Sequence, residues 1–207
     1  MDTQQLNFNR KTLDSSVNAV HNKSMKYLIA SDIHGSASAA EKILSLYKKL
    51  NPDFLVLLGD LLYHGPRNPL PGGHGPQQAS DYLNFCKDSI IAVRGNCDAE
   101  IDQMLLEFPC MNDYALLADG PRTFFLTHGH LYNEASLPFS LNAGSIYLSG
   151  HTHVWRLEEK KGIIYCNPGS AALPKGPSPV AGYAFYDGEK IGVYSLEGGK
   201  VLAEMKL

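Results

Sequence analysis

The sequence has 207 residues, the length of one ordinary globular domain. Its formal net charge of -3 argues against binding of polymeric nucleic acid along a basic surface, because that mode of binding needs a positive patch. Four separated cysteines without a C-x-x-C pair favour reduced thiols, and therefore a cytoplasmic location. No apolar run approaches the ~18 residues of a membrane-spanning helix, so no membrane partner is expected.

Two parts of unequal length are expected along the chain. Residues 1–24 are polar throughout and lack the apolar region of a signal peptide, so we interpret them as a poorly ordered N-terminal extension. Residues 25–207 contain no internal repeat, low-complexity tract or linker, which predicts a single domain.

Strands and helices alternate in the first half of this domain. An apolar run at 26–31 predicts a strand, and Ser36 or Ser38 can cap the amphipathic helix that follows it and ends before Asn51. Further strands are predicted at 54–58 and 90–93, and further helices at 77–87 and 98–108. This alternation predicts a mostly parallel sheet.

The second half is rich in strands. Short apolar runs predict strands at 123–127, 146–149, 163–166, 183–186, 191–195 and 201–205. These runs leave little room for helices between them. Two sheets packed as a sandwich, with the early helices outside, would bury the apolar residues of both halves. We therefore expect a fold of the α/β class.

Polar side chains follow five of the predicted strands at the point where each strand ends. Asp32 and His34 follow the first strand, where an extended backbone would project both side chains to the same side. The second to fifth strands are followed by Asp60, Asn96, His128, His151 and His153. One such residue alone is usually structural. Seven such residues follow strands at the edge where α/β sheets form ligand sites. They predict a common site, because polar side chains buried there without partners would destabilise the fold.

The motifs around these residues resemble the signature of the calcineurin-like metallophosphoesterases. They are Asp-x-His at 32–34, Gly-Asp at 59–60, Gly-Asn at 95–96, Thr-His-Gly-His at 127–130 and Gly-His-Thr-His at 150–153. A closer resemblance, to the YfcE-type phosphodiesterases, is carried by the stretches 31–35, 59–68, 93–98 and 167–170. It covers residues 25–207 and implies a four-layer α/β/β/α sandwich, in which two mixed β-sheets are flanked by helices.

The resemblance also implies a pair of divalent metal ions. One ion would be held by Asp32, His34 and His153, the other by Asn96, His128 and His151, with Asp60 bridging them. Because imidazole and oxygen ligands suit borderline ions, we expect Mn first, with Ni, Co, Fe or Zn as alternatives. Two such ions and two aspartates would give the site a charge of about +2, which attracts phosphate. Hydroxide between the ions would then hydrolyse a small phosphodiester directly.

Cys97 departs from the wider superfamily, many members of which have a histidine at this position of the third motif. A neutral thiol with an ordinary pKa near ~8.5 is a poor proton donor to a basic leaving group at neutral pH. Good leaving groups should therefore react best. The YfcE-like proteins share this cysteine, which favours diesters over monoesters as substrates.

Two residues of the long loop at 63–76 are further catalytic candidates. Arg67 can reach a phosphate oxygen and His64 the leaving group. Alternatively, His64 caps a turn and Arg67 pairs with a surface carboxylate. Trp155 and Tyr165 are interpreted as packing residues of the sheet and not as a platform for a nucleobase.

Two other functions remain open. A retromer subunit of the superfamily keeps the fold and binds proteins, so this chain could be a non-catalytic scaffold. Loss of a metal ligand would favour that role, but all seven are present. A phosphomonoesterase is the second alternative. The resemblance also leaves a homo-oligomer open.

Overall fold

The computed structural model describes residues 24–207, so the extension predicted at the N-terminus lies outside the described residues except for Ser24. The helices are α1 (Ala37–Leu50), α2 (Pro76–Asn84) and α3 (Glu100–Leu105), with a short 3-10 helix at Lys87–Ser89. The first strands are β1 (Tyr27–Ala30), β2 (Phe54–Leu57), β3 (Ile90–Ala92), β4 (Tyr114–Asp119), β5 (Arg122–Thr127) and β6 (Ile146–Leu148). The remaining strands are β7 (Arg156–Lys160), β8 (Ile163–Asn167), β9 (Gly182–Tyr186), β10 (Lys190–Ser195) and β11 (Val201–Lys206).

The first sheet has the strand order β11-β10-β9-β1-β2-β3. Strands β1, β2 and β3 are parallel, as the alternation of strands and helices predicts. The expectation of a mostly parallel sheet is nevertheless wrong, because β9 pairs antiparallel with β1 and the antiparallel strands β10 and β11 extend the sheet. These C-terminal strands follow each other through short turns, which join antiparallel neighbours without a helix.

The second sheet has the order β4-β5-β6-β8-β7, with β5, β6 and β8 parallel and antiparallel strands at both edges. Neither edge strand is predicted from the sequence. Strand β7 reads RLEEK and is largely charged, so no apolar run marks it. Strand β4 is exposed at every second residue, as expected for an edge strand.

Helix α1 covers the outer face of the first sheet. Ser36 caps it by accepting a hydrogen bond from the Ala39 amide at 3.2 Å, and Asn51 ends it in the left-handed conformation. Apolar residues of α1 and α2 form one buried cluster with the strand residues that face them, such as Leu28 and Leu55. The helix predicted from Ser36 or Ser38 to the residue before Asn51 is confirmed.

The two sheets pack face to face around a second apolar cluster. Ile29 and Val56 of the first sheet meet Phe124 and Leu148 of the second there, and all four are fully buried. This arrangement confirms an α/β fold with two mixed sheets. The candidate ligands that follow β1, β2, β3, β5 and β6 lie close together. The carboxyl ends of these strands therefore lie at the same end of the sandwich.

The outer face of the second sheet does not carry the layer of helices that the four-layer sandwich implies. Phe125, Tyr147 and Tyr165 form a third cluster on this face, and Tyr132 and Leu137 of an irregular segment at 129–145 pack against it. Within residues 24–207 no helix covers this face.

None of the helices in this described part of the chain combines the length and the apolar composition that a membrane span requires.

Candidate metal centre

The backbone at the candidate ligands is unusual. Among residues 24–207, seven residues other than glycine have a positive φ. Five of the seven are candidate ligands: Asp32 (55°), His34 (51°), Asp60 (54°), His151 (68°) and His153 (61°). The expectation of an extended backbone at 32–34 is therefore wrong, and the left-handed turns aim these side chains into the site instead. Non-glycine residues adopt this conformation at a cost, and such residues cluster at functional sites.

Backbone carbonyl groups orient three of the imidazole rings. The Nδ1 atoms of His34, His128 and His153 lie 3.0 Å, 2.6 Å and 2.7 Å from the carbonyl oxygens of Tyr63, Leu58 and Leu173. A carbonyl oxygen only accepts hydrogen bonds, so each Nδ1 carries the proton. In the neutral ring, Nε2 is then left with a lone pair. All three Nε2 atoms point into the interior of the site.

The first group of candidate ligands fits a divalent cation. The Nε2 atoms of His34 and His153 face each other at 3.1 Å, and neither can donate a proton while both rings are neutral. Asp32 is fully buried, and its Oδ1 has no hydrogen-bond partner among the described residues, although it lies 3.3 Å from His153 Nε2 and 3.7 Å from His34 Nε2. Three lone pairs this close match ligands that surround an ion at about 2.0–2.2 Å.

A second group adjoins the first. His128 Nε2 lies 3.2 Å from Asn96 Oδ1 and 3.5 Å from Asp60 Oδ2. The same Asp60 oxygen lies 3.7 Å from His34 Nε2, so it stands between the two groups. The ring of His151 lies 5.1 Å from that of His128, measured between centroids, and is more exposed. The structure therefore brings all seven candidate ligands to one place.

The electrostatics of the site favour a cation. Burial opposes ionisation of Asp32, but His153 and His128 hold its pKa below the ordinary value. Burial likewise opposes ionisation of Asp60, yet His128 lowers its pKa. Burial favours neutral His128, but Asp60 and Asp32 raise its pKa to about 9. Two buried carboxylates thus attract positive charge, and a metal ion would compete with protons for the ligand atoms of the site.

Comparison with known proteins identifies the family. Residues 25–190 match the calcineurin-like phosphoesterase superfamily domain. The chain belongs to this superfamily. It is also 42% identical over 183 residues to phosphodiesterase YfcE of Escherichia coli strain K12, across 88% of this chain and 98% of that protein. This identity to a named phosphodiesterase, together with the superfamily membership, makes the chain a metal-dependent phosphoester hydrolase.

Solved structures support the same family fold. The structure of the E. coli YfcE phosphoesterase superposes with a TM-score of 0.85, covering 88% of this chain and 99% of that one at 42% identity. Zinc-bound wild-type Vps29 from Entamoeba histolytica superposes with a TM-score of 0.56 at 22% identity, covering 88% of this chain and 99% of that one. At that identity the likeness to Vps29 extends to the fold alone.

Asp98 supports the centre of this phosphoesterase but is not among the residues predicted from the sequence. Its carboxylate accepts hydrogen bonds from three backbone amides, those of Asp60 at 2.8 Å, Leu61 at 2.7 Å and Gly95 at 2.7 Å. Burial raises the pKa of Asp98 to about 6, and the three amide donors oppose that rise. The bonds tie the turn that carries Asp60 to the turn that carries Asn96. The signal was present in the motif at 93–98, where Asp98 follows the candidate ligand by two positions.

The Asn-Pro-Gly-Ser stretch at 167–170 also holds the site. The Ser170 hydroxyl donates to the Asp32 carbonyl at 2.7 Å and accepts from the amide of Leu173 at 2.7 Å. Leu173 in turn offers its carbonyl to His153. The Asn167 side-chain amide donates to the Gly150 carbonyl at 2.7 Å, just before His151. One turn therefore positions candidate ligands that follow strands of two different sheets.

A cleft of about 360 Å³ opens onto the centre. Arg67 and Cys97 line it, together with Asp60. His64 is not among the lining residues, since its ring packs against those of Tyr63 and His74 at centroid distances of 4.9 Å and 5.6 Å.

Lys175 lines the cleft as well and was missed by the sequence analysis. Its Nζ donates to Asn68 Oδ1 at 3.2 Å, which places a second cation beside Arg67 at the rim. The amide of Lys175 also donates to the carbonyl of His153 at 2.9 Å, so the backbone of Lys175 is held beside that of a candidate ligand. Lys175 lies more than a hundred residues from Arg67 in the sequence, so no local pattern predicts that the two side chains line one cleft.

Cys97 is a neutral thiol in this environment. Burial and the nearby Asp60 carboxylate raise its pKa to about 12. Its amide donates to Asp60 Oδ1 at 2.7 Å, and Asn96 Nδ2 donates to its Sγ at 3.2 Å. Cys97 therefore touches two candidate ligands. A thiol with so high a pKa transfers its proton poorly at neutral pH.

His130 packs beside the second group. Its ring lies 5.3 Å from that of His128 and 6.2 Å from that of His151, between centroids. Burial and the neighbouring His128 lower its pKa, so the ring is neutral at neutral pH. The arrangement agrees with a residue that packs against a ligand.

Proposed function

We propose that this phosphoesterase hydrolyses a small phosphodiester at a centre of two divalent metal ions. The observation that carries the proposal is the pair of facing imidazole nitrogens of His34 and His153 beside the unpartnered Asp32 oxygen. Such a group is unfavourable when buried without a cation. The 42% identity to a protein named phosphodiesterase supports a diester as the substrate.

Asp32, His34 and His153 would hold one ion, and Asn96, His128 and His151 would hold the other. Asp60, which lies near both groups, would be shared between the ions. Bound ions polarise phosphoryl oxygens and lower the pKa of water to near neutrality. Because the ligands mix imidazole nitrogen with oxygen, we propose Mn²⁺ first and Ni²⁺, Co²⁺, Fe²⁺ or Zn²⁺ as alternatives.

The chain's own side chains complete the reaction site. Arg67 and Lys175 line one cleft with the candidate ligands, so they can neutralise the non-bridging phosphate oxygens of the substrate. Cys97 offers a neutral thiol where a general acid would stand, which leaves departure of the alcohol dependent on its own acidity. A diester with an acidic leaving group fits this arrangement.

The test is a direct comparison of two chromogenic substrates. Protein stripped with EDTA and reloaded with Mn²⁺ should hydrolyse bis-p-nitrophenyl phosphate with a kcat/KM at least about tenfold above that for p-nitrophenyl phosphate, a difference of about 1.4 kcal/mol in barrier. Stripped protein should be inactive. Absence of diester hydrolysis with all five ions would refute the proposal, and a higher monoester rate would favour the phosphomonoesterase alternative.

Replacing Cys97 by His should raise the monoester rate relative to the diester rate several-fold. The protonated imidazole would add a proton donor and a positive charge that the thiol lacks, and a dianionic monoester gains more from that charge than a monoanionic diester does. The measurement is the ratio of kcat/KM for the two nitrophenyl substrates. Cys97→Ser serves as the matched control, because it keeps the size of the side chain and adds no acid. An equal ratio in Cys97→His and Cys97→Ser would show that this residue does not set the preference.

A further inference from the structure

A second and larger cavity lies beside the metal cleft, on the outer face of the second sheet. Its volume is about 640 Å³, within the range of small-molecule sites. Tyr147 and Tyr165, at the middle of β6 and β8, line it. The irregular segment at 129–145 lines another side through Asn133, Glu134 and Ala135. The cavity therefore exists where a helical layer would otherwise cover the sheet.

The cavity and the metal cleft share one wall. His151, a candidate metal ligand, lines both. Gly150 and Thr152, on either side of it, line the cavity alone. A molecule whose phosphate lies at the metal centre can thus extend past His151 into the cavity.

The lining includes three aromatic side chains, those of Tyr147, Trp155 and Tyr165. Trp155 and Tyr165 were expected only to pack in the sheet, and Trp155 does contact the inter-sheet cluster while remaining partly accessible. The guanidinium carbon of Arg156 lies 5.1 Å from the centre of the Tyr165 ring. Arg156 also forms an ion pair with Glu134 at the rim of the cavity. The tyrosine rings are buried, so the partly exposed Trp155 ring and the Arg156 guanidinium provide the planar surfaces, and the Arg156–Glu134 pair provides polar groups. These features suit a planar group with polar edges.

The geometry points to a subsite for one esterified alcohol of the substrate, an aromatic one such as a nucleoside, whose base would occupy the cavity. This inference rests on the proposed phosphodiesterase function and extends it to a class of substrate. A diester has two ester groups, so one can leave while the other occupies the cavity. A monoester has no second group to place there. The cavity therefore provides a reason for diester preference that is independent of Cys97.

The chain contains a single tryptophan, which makes the test specific. Emission of Trp155 reports directly on the cavity that it lines. Zn²⁺-loaded protein is titrated with diphenyl phosphate, and dimethyl phosphate is then added as a competitor. We expect a saturable change in emission and a Kd for diphenyl phosphate at least about tenfold below that for dimethyl phosphate, as base–aromatic stacking typically gives.

A matched pair of variants locates the binding. Ala135→Phe fills the cavity from an exposed loop position, and Ala143→Phe adds the same ring to an exposed position of the same segment outside the lining. The first variant should remove most of the preference for diphenyl phosphate, and the second should keep it. No saturable signal, equal affinities, or an unchanged preference in Ala135→Phe would overturn the inference. Failure of the proposed function shows separately, as absence of p-nitrophenol release from protein that still binds diphenyl phosphate.

Discussion

Replacing Asp60 by Asn should lower the diester kcat/KM by more than about a hundredfold. Asp60 Oδ2 lies 3.7 Å from His34 Nε2 and 3.5 Å from His128 Nε2, so one carboxylate serves both groups of candidate ligands. The amide has the same shape but no charge. Outer partners of metal ligands already contribute 10- to about 100-fold, and loss of a shared ligand should exceed that. The measurements are kcat/KM for bis-p-nitrophenyl phosphate and bound metal per chain.

The design separates loss of the site from loss of the fold. Asparagine keeps an oxygen that can accept from the Cys97 amide, as Asp60 Oδ1 does at 2.7 Å, so the turn should persist. Asp81→Asn makes the same chemical change on the exposed surface of α2 and should leave activity unchanged. Full activity and full metal content in Asp60→Asn would exclude a bridging role for this carboxylate.

The candidate site was accessible from the sequence because its residues are attached to strand ends. Strands β1, β2, β5 and β6 have buried apolar runs, and the polar residue after each run stands out. Parallel strands bring such positions to one edge whatever their spacing in sequence. The seven candidates could therefore be placed together without knowing any distance.

Features that depend on exposed or irregular backbone could not be predicted from the sequence in the same way. The charged edge strand β7 has no apolar period, and the left-handed backbone at Asp32 and His34 leaves no mark in composition. Lys175 belongs to a segment without regular structure, and only tertiary folding brings it beside Arg67. The cavity over β6 and β8 depends on how the segment at 129–145 covers the sheet, which local patterns do not encode.

Replacing Asp98 by Ala should lower the free energy of unfolding by at least about 3 kcal/mol. The change leaves three buried amides without an acceptor, those of Asp60, Leu61 and Gly95, and each such loss costs about 1–3 kcal/mol. Urea unfolding in EDTA at pH 8 measures this effect apart from metal binding. That pH lies above the Asp98 pKa of about 6, so the native carboxylate is ionised.

The matched control is Asp187→Ala, which removes a carboxylate that also accepts from backbone amides, those of Glu189 at 3.1 Å and Lys190 at 3.0 Å. Asp187 is partly exposed in the turn between β9 and β10, where water can reach the freed amides, so the loss should stay near ~1 kcal/mol. Similar losses in the two variants would mean that the buried turns at Asp60 and Gly95 relax to reach water. In that case Asp98 would not be what holds the shared candidate ligand in place, and the metal affinity of Asp98→Ala should equal that of the unaltered protein.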